Sequence, residues 1–366
     1  MVICLSPGGQ TTTVGESPRG TLLVGTAEGI FSCERRHGSW SPQERLLPGE
    51  HISSLLYESR SRTLFAGTYG EALYASKDLG RNWERRDQGI GNREIYTLAV
   101  REAGGRPRLY AGTQPAHLFY SDDLGQSWSE LSGLRQVPGV EKWTFPGSPH
   151  QAHVKSLAFD PRRSDIIYAA VEVGGFLKSE DGGRSWKTAS GLNPDAHRVL
   201  VPFSDPGTVY LVMPTTNGAP TDIAGVCVSR DGGESWVSLT PRDFRIGYVD
   251  PLLVHPRNGS VIFTAGAKTG PGTWRKTRSA DARIARSRDG GRTWEILNEG
   301  LPEHIRGNIE ALAMDVWNGG FALFAGTTDG EVFYSADEGE SWQKIIQGIG
   351  PVSKADHHHN LRASAA

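Results

Sequence analysis

The chain has 366 residues, 37% of them apolar and 22% charged, enough for two average domains or one large domain built from repeats. Its 39 Lys and Arg nearly balance 41 Asp and Glu, so no net field draws nucleic acid or an anionic membrane towards it. Three widely spaced cysteines (Cys4, Cys33 and Cys227) exclude a disulfide framework or a zinc knuckle, and no run approaches the ~18–20 apolar residues of a membrane-spanning helix.

In chain order, the opening "MVICLSPGGQ" lacks a basic start and a long apolar run, so it reads as the first strand region of a cytoplasmic protein, not as a signal peptide. From there seven similar units begin near residues 1, 51, 94, 153, 197, 248 and 308. Each holds an apolar run such as "ISSLLYE", "IYTLAVR", "VKSLAFD" or "IEALAMD". A second run ends in small residues, as in "LFAGT" and "LYAGT", a third enters a Ser-x-Asp-x-Gly-x-x-Trp box, and a fourth leaves through the tryptophan. Short runs rich in Leu, Val, Tyr and Phe and broken by glycine predict strands, four to a unit. The first unit keeps only Trp40 of the box, in "FSCERRHGSW". Six full boxes follow, at Ser76/Asp78/Gly80/Trp83, Ser121/Asp123/Gly125/Trp128, Ser179/Asp181/Gly183/Trp186, Ser229/Asp231/Gly233/Trp236, Ser287/Asp289/Gly291/Trp294 and Ser335/Asp337/Gly339/Trp342.

The tryptophans recur every 43 to 58 residues, the period of a four-stranded propeller blade. The expected fold is all-β: a single-domain, seven-bladed β-propeller of four-stranded antiparallel blades over residues 1–350, with 351–366 as a C-terminal tail. The tail's His357, His358 and His359 do not share a face, and no site is placed there. Each box reads as a staple for the hairpin between the third and fourth strands: Asp accepts backbone N–H groups, Gly supplies a positive φ and Trp is the anchor. Its repetition argues against catalysis, which needs one asymmetric constellation.

These residues resemble the Asp-box, or BNR, repeat of sialidases, xyloglucan-degrading glycoside hydrolases, sortilin-type receptors and a photosystem assembly factor. The resemblance covers nearly the whole chain and implies the seven-bladed propeller, a sialidase-like and glycosyl-hydrolase-like fold. It does not select a function, since those relatives include enzymes, receptors and scaffolds. The sialidase signature Phe/Tyr-Arg-Ile-Pro is approximated only by "FRIG" at Phe244–Gly247, after the fifth unit's box and with Gly for Pro, so the sialidase catalytic motif is not matched.

In such a ring the starts of the innermost strands share a face with the hairpins between strands two and three, opposite the boxes. Three insertions map there: 133–153, "MPTTNGAPTDI" and "AKTGPGTWRKTRSADA". Insertions on one face of successive blades suggest a pocket. The strand starts add Glu94, Tyr96, Lys155 and Glu310 to a concentration of histidines. The expected catalytic group is His150, His153, His197, Glu172, Tyr248 and Asp250, with Tyr69, Trp143, Arg198, Asn217, Arg245 and Lys268 binding substrate. His150, His153 and His197 are also the candidate ligands of a divalent metal cofactor. Alternatively a histidine is a general base, or Glu172 and Asp250 are a glycosidase pair. The basic run from Arg275 to Arg286 reads either as a solvated hairpin or as an electropositive rim.

The expected function is a hydrolase or lyase acting on a small anionic or sugar-like substrate in the axial pocket, in one reading metal-assisted. The partner is a small molecule, without nucleic acid or membrane, and the oligomeric state is open. The alternative is a non-enzymatic interaction or assembly scaffold, with Trp143, Phe145 and Trp274 facing outward.

Overall fold

The computed structural model describes residues 1–91, 93–215, 223–241 and 243–361. Its six full boxes fold alike. In the second blade Gly80 N donates to Ser76 Oγ at 2.7 Å, Ser76 Oγ donates to Asp78 Oδ1 at 2.8 Å, and Asp78 Oδ1 accepts the Asn82 N–H at 2.9 Å. The fifth blade repeats this through Gly233 N to Ser229 Oγ at 2.7 Å and Ser235 N to Asp231 Oδ1 at 2.9 Å. The box glycines adopt φ between +79° and +97°, a region where a Cβ would be strained.

Each box closes the outer hairpin of a blade. The second blade runs outward from the axis as Ile52–Glu58, Thr63–Thr68, Leu73–Ser76 and Glu84–Arg85. The next five blades begin on the axis with Glu94–Ala103, His153–Phe159, Arg198–Leu200, Tyr248–Val254 and Ile309–Trp317. Seven clusters of buried apolar side chains are each shared by two consecutive blades, an eighth lies at the upper face, and the one joining the seventh blade to the first closes the ring. The box tryptophan of each blade packs onto the blade before it. Trp128 reaches the cluster of Leu56 and Phe65 and donates from Nε1 to Arg86 O at 2.7 Å. The box is thus both a hairpin staple and a wedge between blades.

Both chain termini depart from the strictly antiparallel blade. Ile3–Leu5 lies on the axis in parallel with Thr21–Thr26, because fifteen residues, not a hairpin turn, separate them. The chain then turns at Ser6–Gly8 and returns as Gly8–Gly9, parallel to Ile52–Glu58, and Thr12–Val14, parallel to Ile309–Trp317. Residues 3–14 therefore form a loop inside the ring, and the second and seventh sheets have five strands. A Cβ on Gly8 would collide with the carbonyl oxygen of Tyr96, so only glycine fits that turn.

At the other end, residues 351–361 are not a free terminus. Val352 N donates to Thr327 O at 3.0 Å, and a 3-10 turn, His357–Leu361, settles over the upper face. Val352, Ser353, Lys354, His358 and Leu361 are buried. Beneath them lies an α-helix of the sixth blade's insertion, Pro271–Thr277, whose Trp274 is fully buried against Tyr248 and Leu361. The expectation that Trp274 faces outward is thereby corrected. Among the described residues no helix is long and apolar enough to cross a membrane.

Candidate functional site

Five inner strands break register at the same level: at Ile52/Ser54, Ile95/Thr97, Val154/Ser156, Val249/Leu252 and Ile309/Ala311. The extra residues are Ser53, Tyr96, Lys155, Asp250 with Pro251, and Glu310. A bulge re-aims its side chain. Here Lys155 of the fourth blade comes within 3.8 Å of Asp250 of the sixth, so the bulged residues of non-adjacent blades meet on the axis. The site is therefore written into one backbone irregularity used five times with different side chains.

Around these residues is a buried ionic network. Glu172 Oε2 accepts from His153 Nε2 at 2.9 Å and lies 2.5 Å from Lys155 Nζ. His197 Nε2 stands 3.1 Å from Asp195 Oδ1 and 3.5 Å from Glu172 Oε1, while its Nδ1 bonds Val249 O at 3.0 Å. Asp250 is ion-paired with Lys354, which the C-terminal segment inserts from above. Glu310 accepts from Lys354 N at 2.6 Å, His357 Nδ1 at 2.7 Å and Asn308 Nδ2 at 3.0 Å. An aromatic arc borders the network: Tyr69 lies 4.8 Å from both His51 and Tyr96, Tyr96 lies 3.9 Å from His153, and Tyr248 lies 5.1 Å from His197.

The network separates protonation states. Burial pushes the Glu172 carboxyl up, but Lys155, His197 and His153 together outweigh it and hold it well below the usual carboxylate range. Burial lowers His153 and, reinforced by Lys155, drives Lys354 well down. At the rim, half-buried Glu94 is pushed up to about 7 by desolvation and by the charges of Glu71 and Asp356. Burial raises Tyr96 well above its ordinary value, with the charges of Glu94 and then Glu172 adding to it.

Of the residues expected to act, His153, Glu172, His197, Tyr248 and Asp250 come together here. His150 does not: it is exposed on its loop, with Nδ1 3.0 Å from Phe145 O. Tyr69 joins the aromatic arc. Trp143 packs with Val154 and Val171 in the cluster between the third and fourth blades, away from the ionic centre. Arg198 is buried below the network and donates to Pro7 O at 2.6 Å. Arg245 lies exposed in a surface groove beside Phe244 and Trp294, and Lys268 is exposed on its hairpin. Asn217 lies outside the described residues. Of the basic run, Arg275 bonds Asn360, Arg283 pairs with Asp281, and Arg286 pairs with Glu295 and Glu340, so these three do not stand free as an electropositive rim. Sequence reasoning missed Asp195, Lys354 and His357; the last two stand in the stretch read as a tail.

The three-histidine metal set fails because His150 stays outside. Glu172, Asp195 and His197 do place one donor atom each within 4.8 Å of one another. Lys155 already contacts Glu172, however, and Lys354 contacts Asp250. The Lys155 ammonium group, 2.5 Å from Glu172, takes up a position beside this set and supplies positive charge of the kind a metal ion would bring. The donor set fits a lysine-neutralised centre, not a metal centre.

The family described as "BNR/Asp-box repeat" matches residues 119–130, the box of the third blade. An oligoxyloglucan-reducing end-specific xyloglucanase of Emericella nidulans is 30% identical over 106 residues, covering 27% of this chain and 12% of that enzyme. A xyloglucanase of a Paenibacillus species is 27% identical over 156 residues, 38% of this chain and 14% of that enzyme. The chain thus spans about an eighth of the length of these curated relatives. Among solved structures, the GH74 xyloglucanase of Xanthomonas campestris superposes with a TM-score of 0.65 at 20% identity, over 94% of this chain and 55% of that one. YCF48 bound to D1 peptide superposes with a TM-score of 0.54 at 14% identity, over 93% of this chain and 92% of that one. The chain is a seven-bladed β-propeller that carries Asp-box repeats, with a fold similar to that of the GH74 xyloglucanase propellers.

Proposed function

We propose that the upper mouth of the channel cleaves glycosidic bonds, with Glu94 as the acid and Glu172 as its ionised partner. The observation that carries this reading is a pair of carboxylates on consecutive blades, both within electrostatic reach of Tyr96, one pushed up to about 7 by burial and the other held low by Lys155 and two histidines. Glycoside hydrolysis needs that division: a protonated carboxyl gives its proton to the leaving oxygen, while a carboxylate stabilises the positive sugar carbon or activates water. Lys155 and His153 keep Glu172 charged and fix its direction. Tyr69 and Tyr96 offer faces for a sugar ring, and Asp250 and Glu310 hold the C-terminal segment above. Glu172 is buried, so this reading requires residues 351–361 to lift from the mouth. The matched xyloglucanases support a carbohydrate substrate, and xyloglucan oligosaccharides are the first to try.

The test is product release from a panel of glucan and xyloglucan oligosaccharides by the wild type, Glu172→Gln and Glu94→Gln. Loss of turnover in Glu172→Gln is expected, with a fall of about 10²–10⁴-fold in Glu94→Gln that is recovered on aryl glycosides, whose leaving groups need no proton. Activity unchanged in both variants would remove the assignment.

A second reading, a peptide-holding scaffold, rests on a different observation. A chain segment already lies in the mouth, anchored through Lys354 and His357. YCF48, described as bound to D1 peptide, matches over nearly the full length of both chains. This reading predicts that Lys354→Ala releases the segment and lets a synthetic 351–361 peptide bind in trans, without glycan turnover.

A further inference from the structure

Below the loop at Ser6–Gly8 the channel opens into a cavity of about 500 Å³, a volume typical of small-ligand sites. One side is the returning N-terminal segment, Gly9 to Thr12; the rest is the lower part of the inner strands of blades two to six. Its walls mix polar and apolar groups, with Gln10, Thr97 and Ser156 among the former and Tyr57, Phe159 and Leu252 among the latter. Inner strands start at the upper face, so Arg198, first residue of its strand, stands at the cavity's inner end.

Arg198 is 6% exposed, yet it has no carboxylate partner among the described residues. Nη2 donates to Pro7 O, and Nε is buried with no acceptor. Glu58, the wall's one acid, is turned to the N–H groups of Arg60 and Ser61 at its own strand end. The one other buried arginine among the described residues, Arg286, meets Glu295 and Glu340. A desolvated guanidinium costs several kcal/mol when left unpaired, and its fork geometry suits an oxyanion.

We propose that this lower cavity binds a small organic anion, a carboxylate or phosphate ester on a compact apolar body, with Arg198 as the receiving group. The apolar part of the wall takes the body, and the guanidinium takes the charge that no side chain supplies. The arginine stands between this cavity and the Tyr69 arc above it, and the proposal does not depend on the carbohydrate reading.

The test is thermal unfolding and calorimetry of the full chain with inorganic phosphate, benzoate, phenyl phosphate and neutral benzyl alcohol. Benzoate and phenyl phosphate separate the carboxylate from the phosphate source. At least one is expected to raise the unfolding midpoint in proportion to the logarithm of its concentration, while benzyl alcohol has no effect. Arg198→Met should lose this response without a drop in its own midpoint, since it removes an uncompensated charge. Ala99→Phe, which fills the cavity and keeps the arginine, should lose it too. The proposal is overturned if no anion shifts the wild type, if Arg198→Met responds as the wild type does, or if Ala99→Phe leaves binding intact.

Discussion

The two ends of the axial channel hold buried charge in opposite ways. At the upper mouth Lys155, Lys354, His153 and His197 face Glu172, Asp195, Asp250 and Glu310, and the C-terminal segment brings Lys354 itself. At the lower end Arg198 meets a carbonyl oxygen and no acid. A buried charge with a partner is tied to the stability of the fold, and removing one side strands the other. A buried charge without a partner is a standing penalty that the fold carries unless something from outside relieves it.

The largest test of this contrast is Asp250→Leu. It leaves Lys155 and Lys354 without their shared carboxylate and should cost about 3–5 kcal/mol in urea unfolding. A loss below about 1 kcal/mol would mean that the upper network is not structural. Next comes Ser229→Ala, far from both ends, which orphans the Gly233 N–H in one box; about 1–2 kcal/mol is expected, with no change in ligand response. Glu94 then sharpens the upper side. Its folded-state value, about 7, lies above that of an unfolded glutamate, so its contribution is present in full at low pH and fades as pH rises through about 7. Relative to Glu94→Gln, the wild type should lose about 1 kcal/mol between pH 4.5 and 8, a figure discounted because the group is half exposed. Glu172 has the opposite sign, and its contribution fades only as pH falls far below 4.5. The smallest effect is at the lower end, where Arg198→Met should change stability by less than about 1 kcal/mol and in the stabilising direction. A large loss there would erase the contrast.

The blades were legible because they repeat: six copies of one box give the period, the hairpin and the tryptophan anchor. The gathering of His153, His197, Glu172, Tyr248 and Asp250 was legible as well, since strand starts a blade apart converge wherever a ring closes. What stayed hidden has no period. Lys354 and His357 sit in a polar stretch that looks like any terminus, and only Asp250 and Glu310, more than forty residues earlier, give them a reason to be buried. Gly8 looks like a loop glycine until the Tyr96 carbonyl stands against it. The fate of Arg198 depended on which acids lie nearby, and the sequence offers forty-one. His150 failed for the converse reason: sequence proximity to His153 put it on the right face, but a loop with its own carbonyl partner kept it outside.

The loop of residues 3–14 also bears on the order of events during synthesis. Thr12 pairs with Met314, and the Ile3 cluster includes Ala311 and Phe324, so a segment translated early waits some three hundred residues for its neighbours. Sequence separation on that scale slows closure. Until the seventh blade emerges from the ribosome, the apolar stretch Val2–Leu5 has only part of its final cover, which marks it as the place where a chaperone, or a second nascent chain, would first take hold.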